Sequence, residues 1–239
     1  GLPLDRLIAA ILDDFGLEGP REIAADGFAD GYVVDRPLSA RAALEPLARL
    51  YGLDVGVSAG VLRVRNPWGA APLALGPDDL VRGEGAEVSF TRAQDSDLPA
   101  LLEIGFTDAE GDYRRACAPT RRLPGPGNRE AREDYALVLR REEAQRLAER
   151  RLAALRAVRE QASFALSPRL LAPEPGDRVT LPGDASGRPW RIERIADGPV
   201  RTVTAVRAPA APPPPRPSAP PPPREPPPLP GRPAAVVLD

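Results

Sequence analysis

Glu133-Asp134-Tyr135-Ala136-Leu137-Val138-Leu139 runs almost directly into Arg141 to Glu160, and that into Gln161-Ala162-Ser163-Phe164-Ala165-Leu166. The first segment has the β-branched, aromatic and apolar content of a buried strand. The second changes period. At 100° per residue, Leu147, Val158, Ala144, Leu155, Ala148 and Leu152 fall within a sector of roughly 140°, with Glu142, Arg146, Glu149 and Arg156 opposite, as in an amphipathic helix. Glu142 with Arg146 and Arg156 with Glu160 are spaced as i,i+4 pairs worth only about 0.2–0.5 kcal/mol each. Burial of Leu147, Leu152, Leu155 and Val158 is worth up to roughly 6–12 kcal/mol, so packing decides where this helix lies. Arg151 falls inside the apolar sector, which predicts a half-buried guanidinium beside an acidic partner. The third segment alternates as a strand, and Pro175-Gly176-Asp177 then turns the chain into Arg178-Val179-Thr180-Leu181.

Working outward, the N-terminal part carries its own pattern. Leu4, Leu7, Ile8, Ile11, Leu12 and Phe15 form one helix face. Gly16 ends it, with Leu17 placed for a Schellman cap. Gly31 to Val34 reads as a short strand. Ser39 caps a second helix running to Tyr51 and closed by Gly52, with Pro46 inside expected to kink or split it. Leu53–Val57 and Val61–Arg65 flank Ala59-Gly60 as a hairpin. Residues 1–66 are therefore expected to form a small helix-strand-helix-hairpin unit. Residues 67–86, rich in Pro and Gly, are expected to cross to the next unit, with Trp68 as an anchor.

Beyond the crossover, strands are expected at Glu87–Thr91, Ala100–Thr107, Tyr113–Arg122, Trp190–Ile195 and Val200–Arg207, besides those flanking the helix. The short connections imply antiparallel pairing. The expected fold class is α+β, with residues 87–208 forming an antiparallel, barrel-like domain flanked by the helix at 141–160. Residues 209–233 are a Pro-rich linker expected to be extended, and 234–239 read as the start of a following element.

Composition narrows the function. The 239 residues carry 42% hydrophobic and 28% charged side chains, a net charge of −2 and a pI near 5.5. All 32 basic residues are Arg and acids outnumber them, so total charge makes no case for nucleic acid or anionic membrane. No apolar run approaches the ~18 residues of a bilayer span. The chain opens with Gly and has no Met, so it reads as part of something longer. With no His and one Cys, neither Ser-His-Asp nor Cys-His catalysis nor an internal disulfide is available within it. Cys117 is expected as a small buried hydrophobe. Asp108-Ala109-Glu110-Gly111-Asp112 has the acid density of a calcium loop but not the EF-hand spacing, and reads as a hairpin turn. Arg114, Arg115, Arg121 and Arg122 with those acids read as a mixed-sign face. No metal or cofactor is expected. A hydrolase built on two of Glu103, Asp108, Glu110, Asp112 and Glu174 is one alternative. A module that docks a partner through its Pro-rich tail is another.

The order of elements, together with Ala43-Leu44-Glu45-Pro46-Leu47, Leu62-Arg63-Val64, Asp97-Leu98-Pro99, Asp112-Tyr113 and Leu171-Ala172-Pro173-Glu174-Pro175-Gly176-Asp177-Arg178-Val179, resembles the phage tail domain of tail-tip and baseplate hub proteins. The likeness spans residues 1–207 and is greatest to the large tail-tip protein of gene transfer agents. It implies a non-enzymatic structural part that self-associates as a homotrimer around an axial channel. In that setting the chain closes the tail tube, joins adjacent tail-tube, distal tail and hub proteins to host-recognition parts, and meets DNA only transiently. The particle would assemble in the bacterial cytoplasm and be released from the cell, with no membrane insertion by this segment.

Overall fold

A computed structural model describes residues 1–68, 71–81, 87–120 and 129–209. The Pro-rich linker at 210–233, the element beginning at 234, and Arg121 and Arg122 lie outside them. In chain order the elements are β1 (Leu2–Pro3), α1 (Leu4–Asp14), β2 (Arg21–Ala24), β3 (Phe28–Ala29), β4 (Gly31–Tyr32), α2 (Ala40–Tyr51), β5 (Asp54–Ser58) and β6 (Val61–Arg65). There follow β7 (Leu73–Ala74), β8 (Val88–Arg92), β9 (Leu101–Asp108), β10 (Arg115–Pro119), β11 (Glu130–Leu139) and α3 (Arg141–Ala157). The set closes with β12 (Glu160–Leu166), β13 (Arg178–Thr180), β14 (Trp190–Ala196) and β15 (Arg201–Arg207).

The local rules hold at most ends. After α1, Gly16 takes a φ of 67°; its amide donates to Asp13 O and that of Leu17 to Leu12 O, a complete Schellman cap. Ser39 Oγ accepts from the Ala42 amide at the start of α2, and left-handed Gly52 closes it. Pro46 does not split α2, which runs continuously on both sides of it. Ala59 and Gly60 both have positive φ, the two-residue turn whose twist matches a hairpin.

Two apolar cores organise these elements and share no residue. The first packs Leu4, Ile8 and Leu12 of α1, Leu47 and Tyr51 of α2, Leu102, Ile104 and Phe106 of β9, Leu137 and Leu139 of β11, and Leu147 and Leu152 of α3. Residues 1–66 thus share a core with the sheet and long helix that follow them. The second core lies on one sheet around Trp190, with Phe164, Leu166, Val179, Ile192, Val203 and Ala205.

The expected barrel and all-antiparallel pairing are corrected. The sheets are open, in the orders β10-β9-β11-β4, β7-β13-β14-β15-β12-β8 and β2-β6-β5, beside the two-stranded β1-β3. β9 pairs with β11 in parallel, as β2 does with β6 and β7 with β13. The physical reason is burial: β9 carries Leu102, Ile104 and Phe106 into the first core and is covered on both edges, by antiparallel β10 on one and parallel β11 on the other. Cys117 is exposed, not buried: strand alternation turns Ala116 and Ala118 inward and leaves Cys117 on the outer face of an edge strand. Val158 lies past the end of α3 and is exposed, leaving Leu147, Leu152 and Leu155 as the packed face.

Gly27 shows one backbone constraint of the first core. Its φ is 139°, and a Cβ there would lie 2.9 Å from the Tyr51 ring, whose hydroxyl donates to Phe28 O. Gly27→Ala should cost about 1–3 kcal/mol through strain and displacement of Tyr51. Leu137→Ala, at a fully buried position, should cost about 2–5 kcal/mol. Urea unfolding followed by circular dichroism measures both; a loss below half a unit for either would contradict this packing.

Candidate assembly surface and its charge clusters

Of the five carboxylates weighed for a hydrolase, Glu103 and Asp108 lie on β9, Asp108 as its last residue, Glu110 and Asp112 on the turn between β9 and β10, and Glu174 on the turn before β13. Asp108 is the deeply buried one, its side chain 2% exposed, and Arg141 Nε donates to it at 2.6 Å. Its Oδ1 also accepts the Glu110 amide at 2.9 Å, and Gly111 presses so close that a Cβ would fall 2.6 Å from Oδ2. Burial opposes its ionisation, but the bonds from Arg141, Glu110 and Gly111 prevail and hold the carboxyl below the usual range. Asp108 therefore pins the β9–β10 turn to α3. Glu110 and Asp112 sit exposed on that turn. Glu103 pairs with Arg132 at 2.8 Å, and Glu174, 43% exposed, pairs with Arg63 and accepts from Ser58. None of the five is a buried carboxylate left free for acid–base work. Of the arginines, Arg115 donates to Tyr135 O at 3.2 Å and lies 3.6 Å from Asp134, so that face is mixed in sign. Among the described residues no cluster of His, Cys, Asp and Glu could hold a metal ion.

Arg151 lies where the helix pattern placed it. Its Nε and Nη2 donate to Glu133 Oε2 and Oε1 at 3.0 and 2.9 Å, a two-pronged bond from α3 to β11. The side chains are 18% and 20% exposed. Tyr135 Oη donates to the same Glu133 at 2.6 Å. Burial disfavours the Glu133 charge, yet the bonds from Arg151 and Tyr135 outweigh it and lower the carboxyl. The expected helix pairs are replaced: Arg146 bonds Glu143, and Arg156 donates to Pro99 O. Trp68 does anchor its segment, packing on Gly52 with the Arg150 guanidinium 5.4 Å from its ring.

Arg207 was not singled out from sequence, although it is nearly buried. Its guanidinium stacks 3.7 Å from the Trp190 ring centroid and donates to Glu160 at 2.7 Å, Asp184 at 2.6 Å and Arg188 O at 2.9 Å. Trp190 Nε1 donates to Asp184 as well, at 2.8 Å. Burial works against the Asp184 charge, but bonds from Arg207, Ser186 and Trp190 hold the carboxyl far below its ordinary value. Strand parity carried the signal: Arg201, Val203, Ala205 and Arg207 share the inward face of β15.

What remains is surface. β10 and β4 end one sheet, β7 and β8 another, β2 and β5 the third, and open edges invite further strands. Exposed apolar side chains include Val55 and Val57 on the edge strand β5 and Phe28 on β3 of the two-stranded sheet. A groove of about 460 Å³ lies between the β5–β6 hairpin and residues 174–176 with 191–193. No helix among the described residues is long and apolar enough to cross a membrane.

Open sheets, paired charges and free edges describe a building part. The family described as "Putative phage tail protein" matches residues 39–195, and the chain belongs to that phage tail family. Among solved structures it is similar to a chain of the virion of a native gene transfer agent (GTA) particle, with 30% identity and a TM-score of 0.72 over 87% of this chain and 49% of that one. The chain thus spans about half the length of that relative. It also shares its fold with the tail protein from Neisseria meningitidis MC58, at 14% identity and TM-score 0.55 over 87% of this chain and 67% of that one. The 43 kDa tail protein of prophage MuSo2 from Shewanella oneidensis compares at 14% and 0.55, over 86% and 66%. Comparison with curated proteins gives no match.

Two outcomes follow from the charge clusters. Arg151→Ala strands a half-buried Glu133 charge and should cost about 1–3 kcal/mol, while Arg151→Met with Glu133→Leu should cost less than the single change; urea midpoints compare them. Asp108, Glu133 and Asp184 all have lowered carboxyls in the fold. The unfolded chain then binds more protons in acid, so their stabilisation is complete above the unfolded carboxylate range and fades as pH falls through and below it. Asp184→Asn should flatten the fall of melting temperature between about pH 5 and pH 2; an unaltered slope would count against Asp184 as a contributor.

Proposed function

We propose that this chain is a structural part of the tail tip, or baseplate hub, of a phage-like particle of the gene transfer agent type. The observation that carries the reading is the fold shared with a GTA virion chain over 87% of this chain. In this role the chain assembles as a homotrimer around the axial channel, and the open edges of its sheets meet neighbouring copies or adjoining tail proteins to complete a barrel-like wall. It closes the tail tube, links it to host-recognition parts, and lets DNA pass on delivery. A net charge of −2 suits a conduit, because a strongly basic lining would retain a polyanion. The chain acts without catalysis, which is supported by the occupation of Asp108 and Glu133 by arginines. The particle assembles in the bacterial cytoplasm and is released with the tail attached. Residues 209–233 serve as a spacer to the element that begins at 234.

Electron microscopy of particles from a host carrying the parent gene locates the chain directly. Three copies in a closed ring at the tail tip are expected, and a chain found elsewhere on the particle, or as single copies, would refute the assignment. Shortening the 209–233 stretch by half in the parent gene should leave the ring intact; loss of the ring would make the stretch a docking ligand instead.

A further inference from the structure

The two cores are separate, and charge spans the gap between them. Arg65 Nη2 lies 2.6 Å from Asp177, Arg191 Nη1 lies 2.5 Å from Asp54, and Arg63 Nη1 lies 3.6 Å from Glu174. The Ser58 hydroxyl adds a bond to Glu174 at 2.7 Å. Every one of these contacts has one member on the β5–β6 hairpin, which belongs with the first core, and the other on the 174–177 turn or β14, which belong with the second. Gly176, at a φ of 93°, takes the backbone conformation that this turn needs where it lies against Asp54. Beside the row of pairs runs the 460 Å³ groove, so the facing surfaces are not close-packed. Polar, loosely packed contacts between units make relative motion the expected behaviour unless something holds them.

We infer that this row is an electrostatic latch that holds the two units at one mutual angle. When the pairs are lost, the units turn about the crossings at 93–100 and 158–159, as far as the third crossing, from Arg65 to Leu73, lets them. Those crossings are bonded to each other, Ala93 N to Arg159 O at 2.9 Å, and Arg156 reaches Pro99 O at 3.2 Å, so they stay together as the seam opens. The Arg65–Asp177 and Arg63–Glu174 pairs stand partly open to water and are therefore individually weak and salt-sensitive, while Arg191–Asp54 lies deeper, with its carboxylate 14% exposed. Such a seam can release without melting either core, as a packed apolar interface could not.

Spin labels at Val57→Cys and Glu193→Cys, on opposite walls of the groove, test it in the 239-residue chain carrying Cys117→Ser. Dipolar spectroscopy should give a narrow distance distribution at low salt. The distribution should widen at least about two-fold in 1 M NaCl, where the screening length shrinks to about 3 Å. Arg65→Ala with Arg191→Ala should widen it at low salt, and the exchange Arg65→Asp with Asp177→Arg should narrow it again relative to Arg65→Asp alone. Circular dichroism confirms that each variant is folded. The salt arm needs no change to the pairs and decides the matter by itself: a width that does not move between low and high salt overturns the latch.

Discussion

The bond between Arg151 and Glu133 ties the long helix to the strand before it, and the first half of the molecule is built over that join. α3 must lie across β9 and β10 for Leu147 and Leu152 to leave water, and the guanidinium that reaches Glu133 of β11 has to lie within the same face. A lone arginine there would be costly. The two-pronged bond to Glu133, reinforced by Tyr135, makes the position tolerable and fixes how the helix sits on the sheet. From the end of α3 the chain passes directly into β12, so the placement of one helix also sets where the second core begins.

The two cores meet different demands. The first layers helices and three small sheets, with its polar groups answered locally: Asp108 by Arg141 and turn amides, Glu133 by Arg151, Tyr51 by the carbonyl of Phe28. The second is a single sheet folded over Trp190, with Arg207 stacked on the ring and held by Glu160 and Asp184. Both use arginine where a compact cation would serve less well, because the planar group can stack and fork together. Between them lie ion pairs and a hydroxyl bond beside an open groove.

A part of this kind suits assembly better than chemistry. Of the acids that might have served a reaction, Asp108, Glu103 and Glu174 are engaged by arginines and Glu110 and Asp112 stand exposed on a turn, whereas sheet edges and several apolar side chains lie at the surface. The family match and the likeness to a GTA virion chain agree with that reading. Fold likeness to tail proteins at 14% identity shows that the arrangement of strands and helices persists where most side chains have changed.

Much of the local structure was legible before folding. Gly16 and Gly52 ended helices because a left-handed residue is needed there. Ala59-Gly60 turned a hairpin because both positions adopt positive φ. Arg151 found an acid because a helix of period 3.6 left it no other environment. Those outcomes depend on neighbours a few residues apart, and on periodicity. Pairing across the sheet does not. Whether β11 lay beside β10 or beyond β9, whether Cys117 faced in or out, and whether the strands closed on themselves depended on how far a connection reached and which face met a core. Arg207 shows the same limit: its inward parity was written in β15, but Trp190, Glu160 and Asp184 come from elsewhere in the chain. The amino-acid order determined the helices, the longer strands and most of the apolar faces, but not the short strands β1, β2, β3 and β7 or the end of α3 before Val158. Only the tertiary structure decided partners, because strand hydrogen bonds and ion pairs join groups whose separation along the chain says little about their separation in space.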